Sequence, residues 1–229
     1  MLVAASTATS TRSPSPMRTD RSAALALTAG SLAGLVTMAL HPTGRDAVRV
    51  ASSGGTNALA TAVHWLAIVA QPLVLAGALA LTLRLRERRD LAVGAYVFFA
   101  LGSVAVIFAA VASGFLAPGV LRGLGEADAP TRALMMSALH YTSLLNQAFA
   151  AVYVVLSALA ILLWSSAILA GRELSRGLAV YGLVLGALLI VGVLSGHLRL
   201  GIHGFGGVVI GQGVWMVWAA GQLWPAAEG

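Results

Sequence analysis

Residues 58–83 read ALATAVHWLAIVAQPLVLAGALALTL and contain no Asp, Glu, Lys or Arg. An uncharged run of this length is long enough to cross the ~30 Å hydrocarbon layer of a membrane as one helix. Five further runs share this character, and the complete set is 23–41, 58–83, 91–117, 142–169, 178–196 and 204–224. The pattern predicts an all-α fold, a polytopic transmembrane bundle of six helices.

The composition excludes several other classes of protein. Hydrophobic residues make up 59% of the chain and charged residues 10%, whereas a soluble domain carries about 25% charged residues. Cysteine is absent, which excludes disulfides, thiolate metal sites and iron–sulfur clusters. All 14 basic residues are Arg, and they lie in tails and loops. We therefore expect the lipid bilayer as the partner, and no nucleic acid.

The chain divides into one membrane domain and two tails. Residues 1–21 are rich in Ser, Thr, Pro and Arg and predict a disordered cytoplasmic tail. Residues 22–225 form the six-helix transmembrane domain, and 226–229 a short cytoplasmic tail. Met17 is an alternative start, because the polar segment after it leads directly into the first apolar run.

The arginines also predict an orientation. The N-terminal tail and the loops at 84–89 and 172–176 hold nine Arg, and the opposite loops hold five. An excess of basic residues marks the cytoplasmic side. Both termini are therefore expected in the cytoplasm.

Small residues recur at the spacing that lets membrane helices approach closely. The GxxxG pairs are Gly30/Gly34, Gly182/Gly186, Gly192/Gly196 and Gly207/Gly211. Contacts between helices of one chain and a homo-oligomer face are both compatible with this pattern.

The histidines are the residues most suggestive of a site. The six apolar segments contain no acidic residue, which argues against a proton-coupled transporter with a buried carboxylate and against a carboxylate-bridged di-iron site. All five histidines lie at or near the predicted outer side. We expect His64, His140 and His203 to converge from the second, fourth and sixth helices, with His41 and His197 at the rim.

Two helices repeat one polar pattern. His64 precedes Gln71 by seven residues, and His140 precedes Gln147 by the same interval, which places each pair on one helical face. With Gln212 as a looser partner of His203, this suggests degenerate helical-hairpin repeats at 58–119 and 138–201.

Imidazoles without thiolates or carboxylates suit zinc, copper or the iron of a b-type haem. Gln71, Asn146, Gln147 and Tyr153 would then fix the imidazole tautomers by hydrogen bonds. Two alternatives stay open: a transporter or channel for a small neutral solute, and a membrane accessory subunit whose polar stripes serve packing alone. No reaction is assigned, and whether the protein is an enzyme is left open.

Three blocks, MALHPTG (38–44), NQAFAAVYVV (146–155) and SGHLRLGIHGFG (195–206), resemble bacterial six-helix integral membrane proteins of unknown function. The resemblance covers about residues 22–224. It implies a multi-pass protein of a bacterial inner membrane, and it implies no substrate, cofactor or catalytic residue.

Overall fold

The computed structural model describes the backbone of residues 16–224 and the side chains of residues 21–224. These residues form helices and no strands, so the predicted all-α class is confirmed. The helices are α1 (Pro16–Leu40), α2 (Gly44–Ser52), α3 (Ala58–Arg84), α4 (Arg89–Val111), a π-helical turn (Ala112–Leu116), α5 (Ala117–Val120), α6 (Ala129–Gly171), α7 (Arg176–Leu194) and α8 (Ile202–Leu223).

Six of these segments are long and apolar enough to cross a membrane, as predicted, and the protein is a multi-pass membrane protein. The spans differ from the predicted runs mainly at their ends. Helix α1 begins at Pro16, inside the segment expected to be a disordered tail. The rest of that tail, residues 1–15, and the tail at 226–229 lie outside the described residues.

The six spanning helices form a closed ring in chain order. Each packs against the next, and α8 packs back against α1. Neighbours run antiparallel. A Cβ on Gly30 of α1 would meet Val74 of α3, whereas one on Gly77, later in α3, would meet Leu27, earlier in α1. The pair α4 and α6 shows the same order, with contacts Gly94/Leu163 and Gly102/Leu156. We call the end where α1 and α7 terminate the histidine end, because all five histidines lie there. The arginine-rich end is the opposite one, with the loops at 85–88 and 172–175.

A large apolar core fills the arginine-rich half of the bundle. Trp164 of α6 and Trp215 of α8 are fully buried and stack with ring centroids 5.8 Å apart. Phe99 lies against Trp164 at 5.5 Å. The indole nitrogen of Trp164 donates to the hydroxyl of Thr82, and that of Trp215 donates to the carbonyl of Leu178. This half is therefore closed by aromatic side chains whose polar atoms are satisfied.

Glycines of the predicted GxxxG pairs serve contacts within the chain. A Cβ on Gly30 would collide with Val74 and Ala70 of α3, and one on Gly186 would approach Leu162 and the carbonyl of Ala158. Such close approach replaces the hydrophobic drive that lipid does not supply. A Cβ on Gly207 would meet nothing within 4 Å. The homo-oligomer face and the hairpin repeat both stay predictions.

The histidine end carries extra structure outside the spans. Helix α2 begins with a capping box, in which Thr43 and Asp46 satisfy each other's backbone amides. Ala51 of α2 packs with Leu121 and Leu124 of the loop before α6. Helix α6 has 43 residues, about 65 Å at about 1.5 Å per residue, and so extends well beyond a ~30 Å hydrocarbon layer.

Candidate functional site

His41 and His64 form a direct pair at the histidine end. Their ε nitrogens lie 3.1 Å apart, and their rings meet edge to face with centroids 4.7 Å apart. The δ nitrogen of His41 lies 2.8 Å from the carbonyl oxygen of Pro42. The δ nitrogen of His64 lies within hydrogen-bonding distance of the carbonyl oxygen of Ala60, one turn earlier in α3.

These contacts determine the protonation that the pair requires. A carbonyl oxygen only accepts hydrogen bonds, so each δ nitrogen must carry a hydrogen and donate it. Each neutral imidazole then has a lone pair on its ε nitrogen, and the two lone pairs face each other. Two acceptors at 3.1 Å repel unless a cation, either a proton or a metal ion, lies between them.

Burial disfavours a proton between the two imidazoles, because it disfavours the charged imidazolium. The pKa of His41 lies below its usual value because burial disfavours the charged imidazolium, while the hydrogen bond to the Pro42 carbonyl acts in the opposite direction. His64 is even more enclosed, with 4% of its surface exposed. No described side chain that lines the cavity beside the pair is acidic. The described lining of the cavity therefore offers no carboxylate to stabilise an imidazolium.

The π-helical turn at the end of α4 positions the His64 ring. Gly114, inside this turn, lies so close to His64 that a Cβ there would collide with the Cβ and Cγ of the histidine. The hydroxyl of Thr61 donates to the Gly114 carbonyl at 3.0 Å, and the hydroxyl of Thr37 contacts the Val63 carbonyl at 3.2 Å. These bonds fix α3 against both α1 and α4. Single π turns are frequent at functional sites.

The histidine pair lies at the wall of a cavity of about 570 Å³. The cavity lies in the half of the bundle toward the histidine end, and its lining comes from α1, α2, α3, α6, α8 and the segment from α4 to α5. No lining residue belongs to the aromatic core of the arginine-rich half. The cavity thus occupies one half of the bundle.

The structure pairs two of the five predicted histidines and places a third on the same cavity. His41, expected at the rim, and His64 pair directly, and His140 lines the same cavity. His197 and His203 are exposed and do not line it. Within residues 21–224 no three His, Asp or Glu side chains lie close enough to hold a metal ion together. The predicted set of His64, His140 and His203 is therefore not assembled as a unit, and metal binding itself stays a prediction.

Among the described residues, none of those expected to orient the imidazoles bonds to a histidine side chain. Asn146 and Gln147 line the cavity on α6. The side chain of Gln71 bonds to the carbonyl of Ala67 in its own helix at 3.4 Å and does not line the cavity. The hydroxyl of Tyr153 donates to Gln212 at 2.8 Å.

The hydrogen bond between Tyr153 and Gln212 belongs to a buried polar group that was not predicted from the sequence. Gln212 accepts from Tyr153 and donates to the hydroxyl of Ser157 at 2.7 Å, and Ser157 donates to the Tyr153 carbonyl. The group joins α6 to α8, and the Tyr153 ring packs against Phe205, which lines the cavity. The sequence feature that could have revealed this group is a Gln within an apolar span, because a buried amide needs hydrogen-bond partners.

No family model, no curated protein and no solved structure matches the chain. The resemblance to bacterial six-helix membrane proteins therefore stays a prediction. What the site can do is argued from its geometry alone.

Proposed function

We propose that this integral membrane protein binds a transition-metal ion through His41 and His64, at the wall of the cavity. The observation that supports the proposal is the 3.1 Å separation of the two ε nitrogens. In both imidazoles the δ nitrogen points at a backbone carbonyl, which leaves the ε nitrogen free to bind a metal. A carbonyl behind each imidazole is the usual arrangement of metal-binding histidines, since it fixes the tautomer and raises the basicity of the ligating nitrogen.

The distance supports zinc or copper. An ion ~2.0–2.1 Å from each of two nitrogens that lie 3.1 Å apart subtends an angle of about 100°. This value lies between the angle of a tetrahedral site and that of adjacent ligands in a tetragonal copper site. With two protein ligands, the remaining positions face the cavity and are open to water or to a bound molecule.

The same distance argues against haem between the two rings. Two axial imidazoles hold iron from opposite faces of a flat macrocycle, so their nitrogens stand about 4 Å apart with the ring between them. His41 and His64 contact each other edge to face. We therefore favour a non-haem ion at this pair.

The first experiment is metal binding by the purified protein without a polyhistidine tag. We expect the protein, stripped with a chelator, to bind close to one equivalent of zinc or copper in titration calorimetry and in metal analysis after gel filtration. His41→Ala and His64→Ala should each lose most of the affinity, because one imidazole alone holds a divalent ion weakly.

His203→Ala and His197→Ala are matched controls, because both histidines lie at the same end and outside the cavity. They should bind metal as the parent protein does. Binding that survives His41→Ala, or binding lost in His203→Ala, would contradict the proposed pair, and the latter would favour the set of His64, His140 and His203. Failure of the parent protein to bind either metal would remove metal binding altogether.

We also propose that both termini face the cytoplasm and that the cavity opens away from it, in a bacterial inner membrane. The excess of Arg near the N-terminus and at the arginine-rich end supports this orientation. The test is to fuse a reporter that is active only in the cytoplasm to the chain truncated within a loop. The reporter should be active when fused after residue 87, at the arginine-rich end, and inactive when fused after residue 125, at the histidine end.

A further inference from the structure

We infer that the cavity has a second binding surface, on α6, that takes a neutral organic molecule with hydrogen-bonding groups. The inference does not rest on the metal site. It rests on three observations: a polar stripe on one helix, the absence of partners for that stripe, and the absence of charge in the lining.

The stripe is formed by His140, Ser143, Asn146 and Gln147, which all line the cavity. Their spacing places them on one face of α6. Ala150, one turn further along, continues the lining toward the middle of the bundle. The stripe therefore runs along the cavity wall from the histidine end toward the middle of the bundle.

The polar groups of Ser143, Asn146 and Gln147 have no hydrogen-bond partner in the part of the chain that the structure describes. By contrast, Gln212, Tyr153 and Ser157, which also lie in the spans, bond one another. A hydroxyl and two amides that are left free along a cavity wall are available to a ligand.

The lining selects the chemical class of that ligand. No Asp, Glu or Arg of the described residues lines the cavity, and its other walls are apolar, with Val106, Leu139 and Phe205 among them. An ion entering such a site loses its hydration without gaining a partner of opposite charge. A neutral molecule keeps its apolar body against these walls and bonds to the amides. The cavity volume of about 570 Å³ is typical of small-molecule sites.

The two surfaces of the cavity are separate. His41 directly follows α1 and His64 lies on α3, whereas the stripe lies on α6, whose main packing partners are α4 and α7. A molecule on the stripe therefore faces the histidine pair across the cavity, and either surface can be changed without altering the other.

The absence of Cys in the chain provides the experiment. A single thiol is introduced as Ser143→Cys, and its reaction is followed with N-ethylmaleimide, a small neutral imide, and with maleimides that carry a sulfonate or a quaternary ammonium group. The reactions are run with a chelator present, so that the metal pair is empty. Ser53→Cys, an exposed position at the same end, is the control for intrinsic reactivity.

We expect the Ser143→Cys variant to react about tenfold faster with the neutral reagent than with either charged one, after correction by the Ser53→Cys rates. Adding Asn146→Leu should lower the rate with the neutral reagent about fivefold, because the imide loses a hydrogen bond. Gln147→Leu tests the second amide, and gel filtration shows that each variant is folded.

Equal corrected rates for the three reagents would mean an unselective water-filled vestibule and would overturn the inference. No reaction at Ser143→Cys would mean that the cavity is closed to solutes and would also overturn it. Neither outcome affects the metal titration, so the two proposals fail separately.

Discussion

At the scale of the residue, the site depends on how closely two backbones approach. His64 occupies space that a side chain at position 114 would need, and the histidine pair exists only because that residue is Gly. The π-helical turn carries Gly114 to this position. The conformation of one turn of α4 therefore controls the position of an imidazole on α3.

Gly114→Ala should displace the His64 ring and weaken metal binding. The added Cβ collides with the Cβ and Cγ of His64, and overpacking of this kind costs about 1–3 kcal/mol of stability. Gly119→Ala is the matched control, since a Cβ at Gly119 would meet nothing within 4 Å. Calorimetric titration and thermal unfolding measure both effects. Equal behaviour of the two variants would contradict the packing argument.

Gln212→Leu should destabilise the bundle by about 1–3 kcal/mol, because it leaves the hydroxyls of Tyr153 and Ser157 without their amide partner in a buried site. Gln71→Leu removes only a long bond to its own helix and should cost much less. The apparent melting temperatures of the two variants in one detergent give the comparison.

The sequence predicted which residue types would form the site more reliably than which of them would meet. Periodicity shows which residues share a face of one helix, and it placed His64 and His140 toward one cavity. It does not fix the rotation of one helix against another. For that reason His41, expected at the rim, pairs with His64, and His203, expected inside, is exposed.

At the scale of the element, the apolar runs predicted the spans, and the polar segments between them were harder to interpret. Helix α2 carries two Arg and one Asp and was not predicted, although Thr43 and Asp46 have the capping-box spacing. The π turn has no apolar periodicity of its own. The polar residues 132–141, which precede the fourth apolar run, extend α6 as one continuous helix.

The cap of α2 should make this helix sensitive to acid. Hydrogen bonds from Thr43, first from its side chain and then from its backbone, hold the pKa of Asp46 below its usual value. A carboxyl whose folded pKa is lowered contributes stability above its unfolded pKa, about 3.9. That contribution is lost as the pH falls through the folded pKa.

Asp46→Asn lacks the ionised cap at every pH and is the variant to compare. We expect its thermal stability to lie below that of the parent protein at pH 7 and the difference to be smaller at pH 2, below the unfolded pKa of about 3.9. A difference of the same size at both pH values would show that the charge of Asp46 does not contribute.

At the scale of the whole molecule, the ring has two unlike halves. One is filled by aromatic side chains, and the other contains the cavity and the histidine pair. The filled half gives the helices a fixed relative position, and the open half can hold a ligand without loss of the core. The apolar runs predicted the number of helices, but the division into halves depends on side-chain packing that no single run reveals.

Trp164→Ala should destabilise the protein by about 3–5 kcal/mol, since it empties the centre of the filled half and removes the bond to Thr82. Trp218 is 42% exposed, and Trp218→Ala should cost far less. Differential scanning fluorimetry in detergent measures both. A comparable loss in the two variants would mean that the aromatic core does not hold the ring together.

The closed ring also has a consequence for the order in which the parts appear during synthesis. His41 directly follows the first span and His64 lies on the second, so the pair is complete once α1 and α3 have entered the bilayer. The cavity wall is complete only when α8, the last span, docks against α1. A nascent chain released before α8 is made would carry the histidine pair on an unfinished bundle, with one side of α1 facing lipid. Truncated products that lack α8 would therefore expose a face of α1 that the complete bundle covers.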